Sequence, residues 1–215
     1  MMKKKHRLII FVISIVIFLG FTIYNYLIGS QWIYDSIMSI GLIIVAFLIS
    51  KWIKLEVFEF IFIDIALILH NLGTIGFYGW FWWIIQYDNV VHFVSSAVAA
   101  YIIFDFLLRK IHIKENQRFK KTFIDEHKWI FIIMVISAVA MLGVVVELLE
   151  FTGYLYLGEG DDILFVGLGD SDKVGDSTYQ YFDTMTDIIV NIFGSIAGVL
   201  LYYFKDYKRK PWLKY

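Results

Sequence analysis
An all-α, polytopic membrane bundle of about six transmembrane helices is the fold class that this 215-residue sequence predicts. Three observations point to it. The chain is 60% hydrophobic with a mean hydropathy of +0.70, against roughly 45–50% apolar residues in a soluble domain. Its only proline is Pro211, so long apolar stretches can stay helical. Its apolar residues fall into six runs near the ~20 residues needed to cross a bilayer: 8–28, 32–50, 57–75, 90–108, 129–149 and 183–204. With no repeat and no linker, residues 1–215 read as a single integral membrane domain.

The first run follows "MMKKKHR". It is longer than the ~7–15 apolar residues of a signal peptide, and no small-x-small cleavage site follows, so it is expected to remain as an anchor. Charge then orients the bundle. With the N-terminus inside and six spans threaded, all 19 Lys and Arg residues except Lys173 fall on one side. The positive-inside rule places both termini in the cytoplasm and the protein in the cytoplasmic (cell) membrane. The basic stretch 109–128 becomes a solvated cytoplasmic connection. The aromatic run "FYGWFWW" (Phe77–Trp83) becomes an anchoring belt at the outer interface. No cysteine is present, which excludes disulfides and thiolate metal sites.

With depth assigned, the polar residues converge. The fourth span enters from outside with "YDNVVHF", carrying Asp88 and His92 at i, i+4. The fifth leaves with "VVVELLEF", carrying Glu147 and Glu150 about 60° apart. The sixth enters with Asp183, Asp187 and Asn191, which drift only about 40° per step and share one face. His70 and Asn71 close the third span at the same depth. The carboxylates of Asp88, Glu147, Glu150, Asp183 and Asp187 thus crowd the outer half with no Lys or Arg in the outer half of any span. Such groups must share protons, gather a cation or hydrogen-bond between helices near solvent.

Oxygen donors with an imidazole suit Mg²⁺, Mn²⁺ or Ca²⁺, and Zn²⁺ less well. His92, Glu150, Asp183 and Asp187 are the expected ligands. Asp88 and Glu147 are candidates for the base, and Asn191, Asp176, His70 and Asn71 for supporting polar roles. Gly194 and Gly198 form a G-x-x-x-G face and "SSAVAA" (Ser95–Ala100) is small, so the fourth and sixth spans can pack closely just below the acids. Elsewhere, Asp105 and Arg109 make an i, i+4 ion pair. Glu56 and Glu59 are expected in solvent near the inner interface. Asp64 is an isolated acid, either a packing hydrogen bond or part of a deeper polar path. The outer loop 150–182 is acidic. Its "DSDKVG" starts like an EF-hand loop but carries Val174 and Tyr181 where ligands belong, so it reads as a lid that attracts cations.

The motifs "YDNVVHF", "ELLE" and "GDSTYQYFDTMTDIIVNIFGSIAG" resemble the YjdF family of multi-span inner-membrane proteins. The order D-x-x-x-H-F, E-x-x-E/Q, D-x-x-x-N-x-x-G is similar to VanZ-like membrane proteins, some associated with glycopeptide-antibiotic resistance. The resemblance spans residues 55–204. It implies shared polar positions at Asp88, His92, Glu147, Glu150, Asp176, Asp183, Asp187 and Asn191, and no particular reaction. The long acidic loop departs from the shorter VanZ-like link.

Three functions fit these residues. One is a metal-dependent hydrolase or transferase acting on a lipid-linked or cell-envelope substrate. Another is a proton- or cation-coupled transporter, which would need a polar path through the apolar inner half. The last is a non-catalytic protein of envelope-ligand binding or assembly. The expected partners are the lipid bilayer and a small envelope ligand, with no nucleic acid. Because the chain lacks native thiols, its orientation is directly testable. In intact cells, Lys173→Cys should react with a membrane-impermeant maleimide and Lys210→Cys should not; the reverse labelling would invert the topology.

Overall fold
The computed structural model describes residues 4–30, 32–82, 85–110, 117–157 and 177–207. It is an all-α bundle: α1 (Lys4–Leu27), α2 (Ile33–Ile49), α3 (Val57–Thr74), α4 (Tyr87–Lys110), α5 (Gln117–Leu157) and α6 (Ser177–Tyr202), the last running into a π-helical turn, Tyr203–Tyr207. Five of these helices are long and apolar enough to cross a membrane, and α2 is a shorter apolar helix. Runs of Ile, Leu, Val and Phe without proline leave the helix as the way to satisfy every backbone donor in lipid.

Two boundaries differ from expectation. The stretch 109–128 is not one connection: α4 continues to Lys110 and α5 already begins at Gln117. Likewise α5 continues to Leu157 and α6 begins at Ser177, which shortens the acidic loop at both ends. The added turns at the start of α5 (117–128) are polar, whereas its end past Glu150 is mostly aromatic and aliphatic. Hydropathy marks the part of a helix that sits in lipid, not its ends.

Between α3 and α4 the chain makes a 3₁₀ turn, Phe77–Gly79, and a small antiparallel hairpin pairing β1 (Phe81–Trp82) with β2 (Ile85–Gln86). The aromatic run therefore does more than anchor. Trp80 is exposed, but Tyr78 is buried and folds back on α3. Its ring lies where any side chain at Gly73 would be.

The helices form two packed halves. Phe18, Ile43, Ala46, Leu55 and Phe60 make a core among α1, α2 and α3. Tyr101, Phe104, Leu108, Val135, Val139 and Tyr202 make another among α4, α5 and α6. The halves join where α3 packs on α4. The most extensive helix contact is α4 on α6, which run parallel. There the small residues matter: a Cβ on Gly194 would strike the Phe93 carbonyl, and one on Gly198 the Ala97 carbonyl.

Two polar features fix the bundle away from the acidic end. Glu59 is fully buried, contrary to the expectation that it is solvated. It closes a capping box with Glu56, whose N–H donates to Oε2 at 2.6 Å. It also lies 3.3 Å from the Arg109 guanidinium. Arg109 pairs with Asp105 as expected, and donates to the Lys54 carbonyl at 2.5 Å. Tyr202 from α6 donates to Asp105 at 2.7 Å. One cation thus serves two buried acids and joins α3, α4 and α6. Asp64 accepts a hydrogen bond from Ser14 of α1 at 2.9 Å, which favours its packing role.

The close α4–α6 approach gives a direct test. Gly198→Val should destabilise the bundle by about 1–3 kcal/mol through overpacking. Gly41→Val, at a position with nothing within 4 Å, should be near neutral in the same detergent unfolding assay. Equal stability of the two variants would mean that the seam is not tightly packed.

Candidate metal centre
The α4–α6 seam determines what meets at the acidic end. Because the two helices run parallel and touch at Gly194 and Gly198, the turns preceding that contact also face each other. On α6 these carry Asp187 and Asn191, and on α4 they carry Asp88, His92 and Ser96. Ser96 donates to Asn191 Oδ1 at 2.5 Å. One turn higher, Asp187 stands beside Asp88, a carboxylate oxygen of each within 4.8 Å of the other. His92 Nε2 lies 3.5 Å from Asp88 Oδ2, its i, i+4 neighbour. The result is a group of three donors: one atom each from Asp88, His92 and Asp187, all within 4.8 Å of one another. Asp187 is buried, and the side chains of Asp88 and His92 are 13% and 12% exposed.

The other acids surround this group. Asp183, one turn above Asp187, lies within electrostatic range of Asp88, Glu147 and His92. Glu147 on α5 is buried and lies near Thr184 of α6. Its Oε1 has no hydrogen-bond partner among the described residues. Glu150 lines the same cavity as Asp88 and His92. The chain thus brings together Asp88, His92, Glu147, Glu150, Asp183, Asp187 and Asn191, all from the sequence motifs. Asp176 and most of the acidic loop lie outside the described residues. Two carboxyl groups this close, in a poorly solvated place, are costly as free anions together. A proton or a cation must stand between them.

The cavity beside this group has a volume of about 250 Å³ and reaches α2, α3, α4, α5 and α6. His70 enters it from α3, opposite His92. Tyr78 Oη lies 2.7 Å from His70 Nδ1, and Asp35 Oδ1 lies 3.5 Å from Nε2. If the tyrosine hydroxyl donates to Nδ1, the ring proton sits on Nε2 and faces Asp35. Asn71 turns away from the acids: it donates to Ser39 at 2.7 Å and to the Leu67 carbonyl at 2.8 Å. It belongs to a buried polar set near the end of α1, where Asn25 donates to Ser36 at 2.8 Å.

Asp35 and Tyr78 are the residues that sequence reasoning missed. Asp35 is fully buried. The signal was available, since it is the one acid within the second apolar run and shares a helical face with Ser39. Tyr78 was hidden inside an aromatic run whose composition suits an interface belt.

No curated protein and no solved structure matches the chain. A sequence family described as predicted membrane proteins matches residues 6–207, nearly the whole bundle with all six helices. The chain therefore belongs to this family, DUF2238.

Proposed function
We propose that this membrane protein holds one divalent cation between α4 and α6 and uses it to hydrolyse or transfer a bond of a lipid-linked or cell-envelope substrate. The observation that carries the reading is the meeting of Asp88, His92 and Asp187 donor atoms within 4.8 Å, the first two lining a cavity. Two oxygens and an imidazole nitrogen suit Mn²⁺ or Mg²⁺, with the nitrogen favouring Mn²⁺. This grouping favours Asp88 as a ligand rather than as the base. Asp183 and Glu150, expected as ligands, lie outside this group of three donors: Asp183 is within electrostatic range of it and Glu150 lines the cavity. A bound divalent cation would supply an activated water and polarise the bond under attack.

The chain's own residues have distinct parts in this reading. Glu147 is the base: it is buried beside the group and keeps one oxygen without a hydrogen-bond partner among the described residues. Ser96 fixes Asn191 Oδ1, and the Asn191 amide lies over Gly143 at the cavity wall. Asp35 and Tyr78 orient His70 across the cavity. The distribution of Lys and Arg supports placing the site at the extracytoplasmic face.

Cation binding is the test. Purified protein should bind about one Mn²⁺ per chain. Asp187→Asn and His92→Gln should each weaken binding by at least about 10–100-fold, the loss that follows when even the supporting shell of a metal is disturbed. Unchanged binding in both variants would overturn the reading. A cation flux through proteoliposomes, abolished by Asp187→Asn, would instead make the site part of a transport path.

Removing one of two facing carboxylates should also change stability with the opposite sign. In chelator, Asp187→Asn should stabilise the fold by about 0.5–2 kcal/mol, the usual gain when a functional strain is relieved. That variant should lose the stabilisation that Mn²⁺ gives the wild type, as thermal unfolding would show. A destabilised Asp187→Asn variant would mean that the acids serve the fold itself.

A further inference from the structure
The shape of the cavity says which substrates can reach this centre. Along α4 its lining runs from Asp88 through His92, Ser95 and Ser96 to Ala99, a descent of roughly 16 Å at 1.5 Å per residue. The facing wall changes in the same direction, from Glu150 on α5 to Val139 and from His70 on α3 to Ala66. The lining is therefore ionic at one end, hydroxyl and amide in the middle, and hydrocarbon at the other end. Its gradient follows the bundle axis, as an amphiphile's does in a leaflet.

The cavity is also open sideways. α2 packs on α1 and α3, while α5 packs on α4 and α6, so α2 and α5 flank a groove floored by α3 and α4. Leu42 on α2 and Leu142 on α5 both line the cavity, yet they are 46% and 52% exposed. In a membrane that exposure faces acyl chains. Asn191 is buried and lines the middle of the cavity, and its Nδ2 has no acceptor among the described residues. The amide lies over Gly143 of α5, which lines the same cavity, so this unmatched donor stands at the cavity wall. A volume of about 250 Å³ equals roughly eight water-sized volumes. That admits a head group and one chain segment, but not two chains side by side.

We propose that the cavity takes a single-chain lipid phosphate that enters from the bilayer between α2 and α5, with its phosphate at Asp88, His92 and Asp187 and its hydrocarbon between Leu42, Ala99 and Leu142. This rests on the cation reading above, because acids alone would repel a phosphate and a divalent ion bridges the two. The chain's remaining length stays in lipid, so the site grips the head and the first part of the tail.

The experiment uses the full chain in nanodiscs with dodecyl phosphate carrying a diazirine near its methyl end, and dodecanol with the same diazirine as the control. Photolabelling by the phosphate probe should map to the groove-lining parts of α2, α4 and α5 and rise about tenfold with Mn²⁺ over chelator. The alcohol probe should not respond to Mn²⁺. Leu142→Trp, at a half-exposed position that tolerates bulk, and Ala99→Trp, deep in the groove, should each cut the labelling about fivefold or more while leaving Mn²⁺ binding intact. Competition by a polyprenyl phosphate or by a lysophosphatidate, whichever is stronger, identifies the lipid class. Labelling spread over all lipid-facing helices, or unchanged by both tryptophans while Mn²⁺ still binds, would overturn the lipid proposal and leave the cation reading standing. Loss of Mn²⁺ binding in the wild type would overturn both.

Discussion
Everything at the acidic end depends on how closely α4 and α6 approach. Two glycines one turn apart let the α6 backbone rest against the carbonyls of Phe93 and Ala97. Small residues at such a contact substitute dispersion and close backbone approach for the hydrophobic drive that is missing between helices in lipid. The polar contacts follow from this geometry. Going up the parallel pair, Tyr202 meets Asp105, Asn191 meets Ser96, and Asp187 meets Asp88. Larger side chains at the seam would part the helices, and no pair of carboxylates would face each other.

The two ends of the bundle treat buried acids in opposite ways. At one end, Glu59 and Asp105 share Arg109, backed by a capping box and a tyrosine hydroxyl. That is a satisfied network, and removing its cation would strand two charges. At the other end, Asp88, Asp183, Asp187 and Glu147 lie within one another's electrostatic reach, and His92 is the only titratable base that touches the group among the described residues. The same chain neutralises buried acids with its own arginine at one end, and no Lys or Arg among the described residues does so at the other. On the reading proposed above, such a group is stabilised by the positive species it gathers.

Much of this was legible in the sequence, for physical reasons. Helical period alone put Asp183, Asp187 and Asn191 on one face, and lipid depth put them level with Asp88 and His92. The G-x-x-x-G face and the small residues Ser95–Ala100 marked which helices meet. Two things were not legible. Helix ends escaped because α5 starts as polar helix, where hydropathy no longer reports on structure. Partners across space escaped as well: Glu59 looks solvated until α4 brings Arg109 to it, and Asp35 gains its meaning only when α3 places His70 beside it. Local pattern gives a residue's face and depth, but which residue stands opposite is a property of the packing.

The most direct measurement is pulsed electron paramagnetic resonance of Mn²⁺ bound to the purified protein, with and without ¹⁵N-labelled histidine. A centre built from Asp88, His92 and Asp187 gives hyperfine coupling to one imidazole nitrogen, which changes with the label and vanishes in His92→Gln. Mn²⁺ that shows only water and carboxylate couplings, or a nitrogen coupling that survives His92→Gln, would place the ion elsewhere and contradict the site.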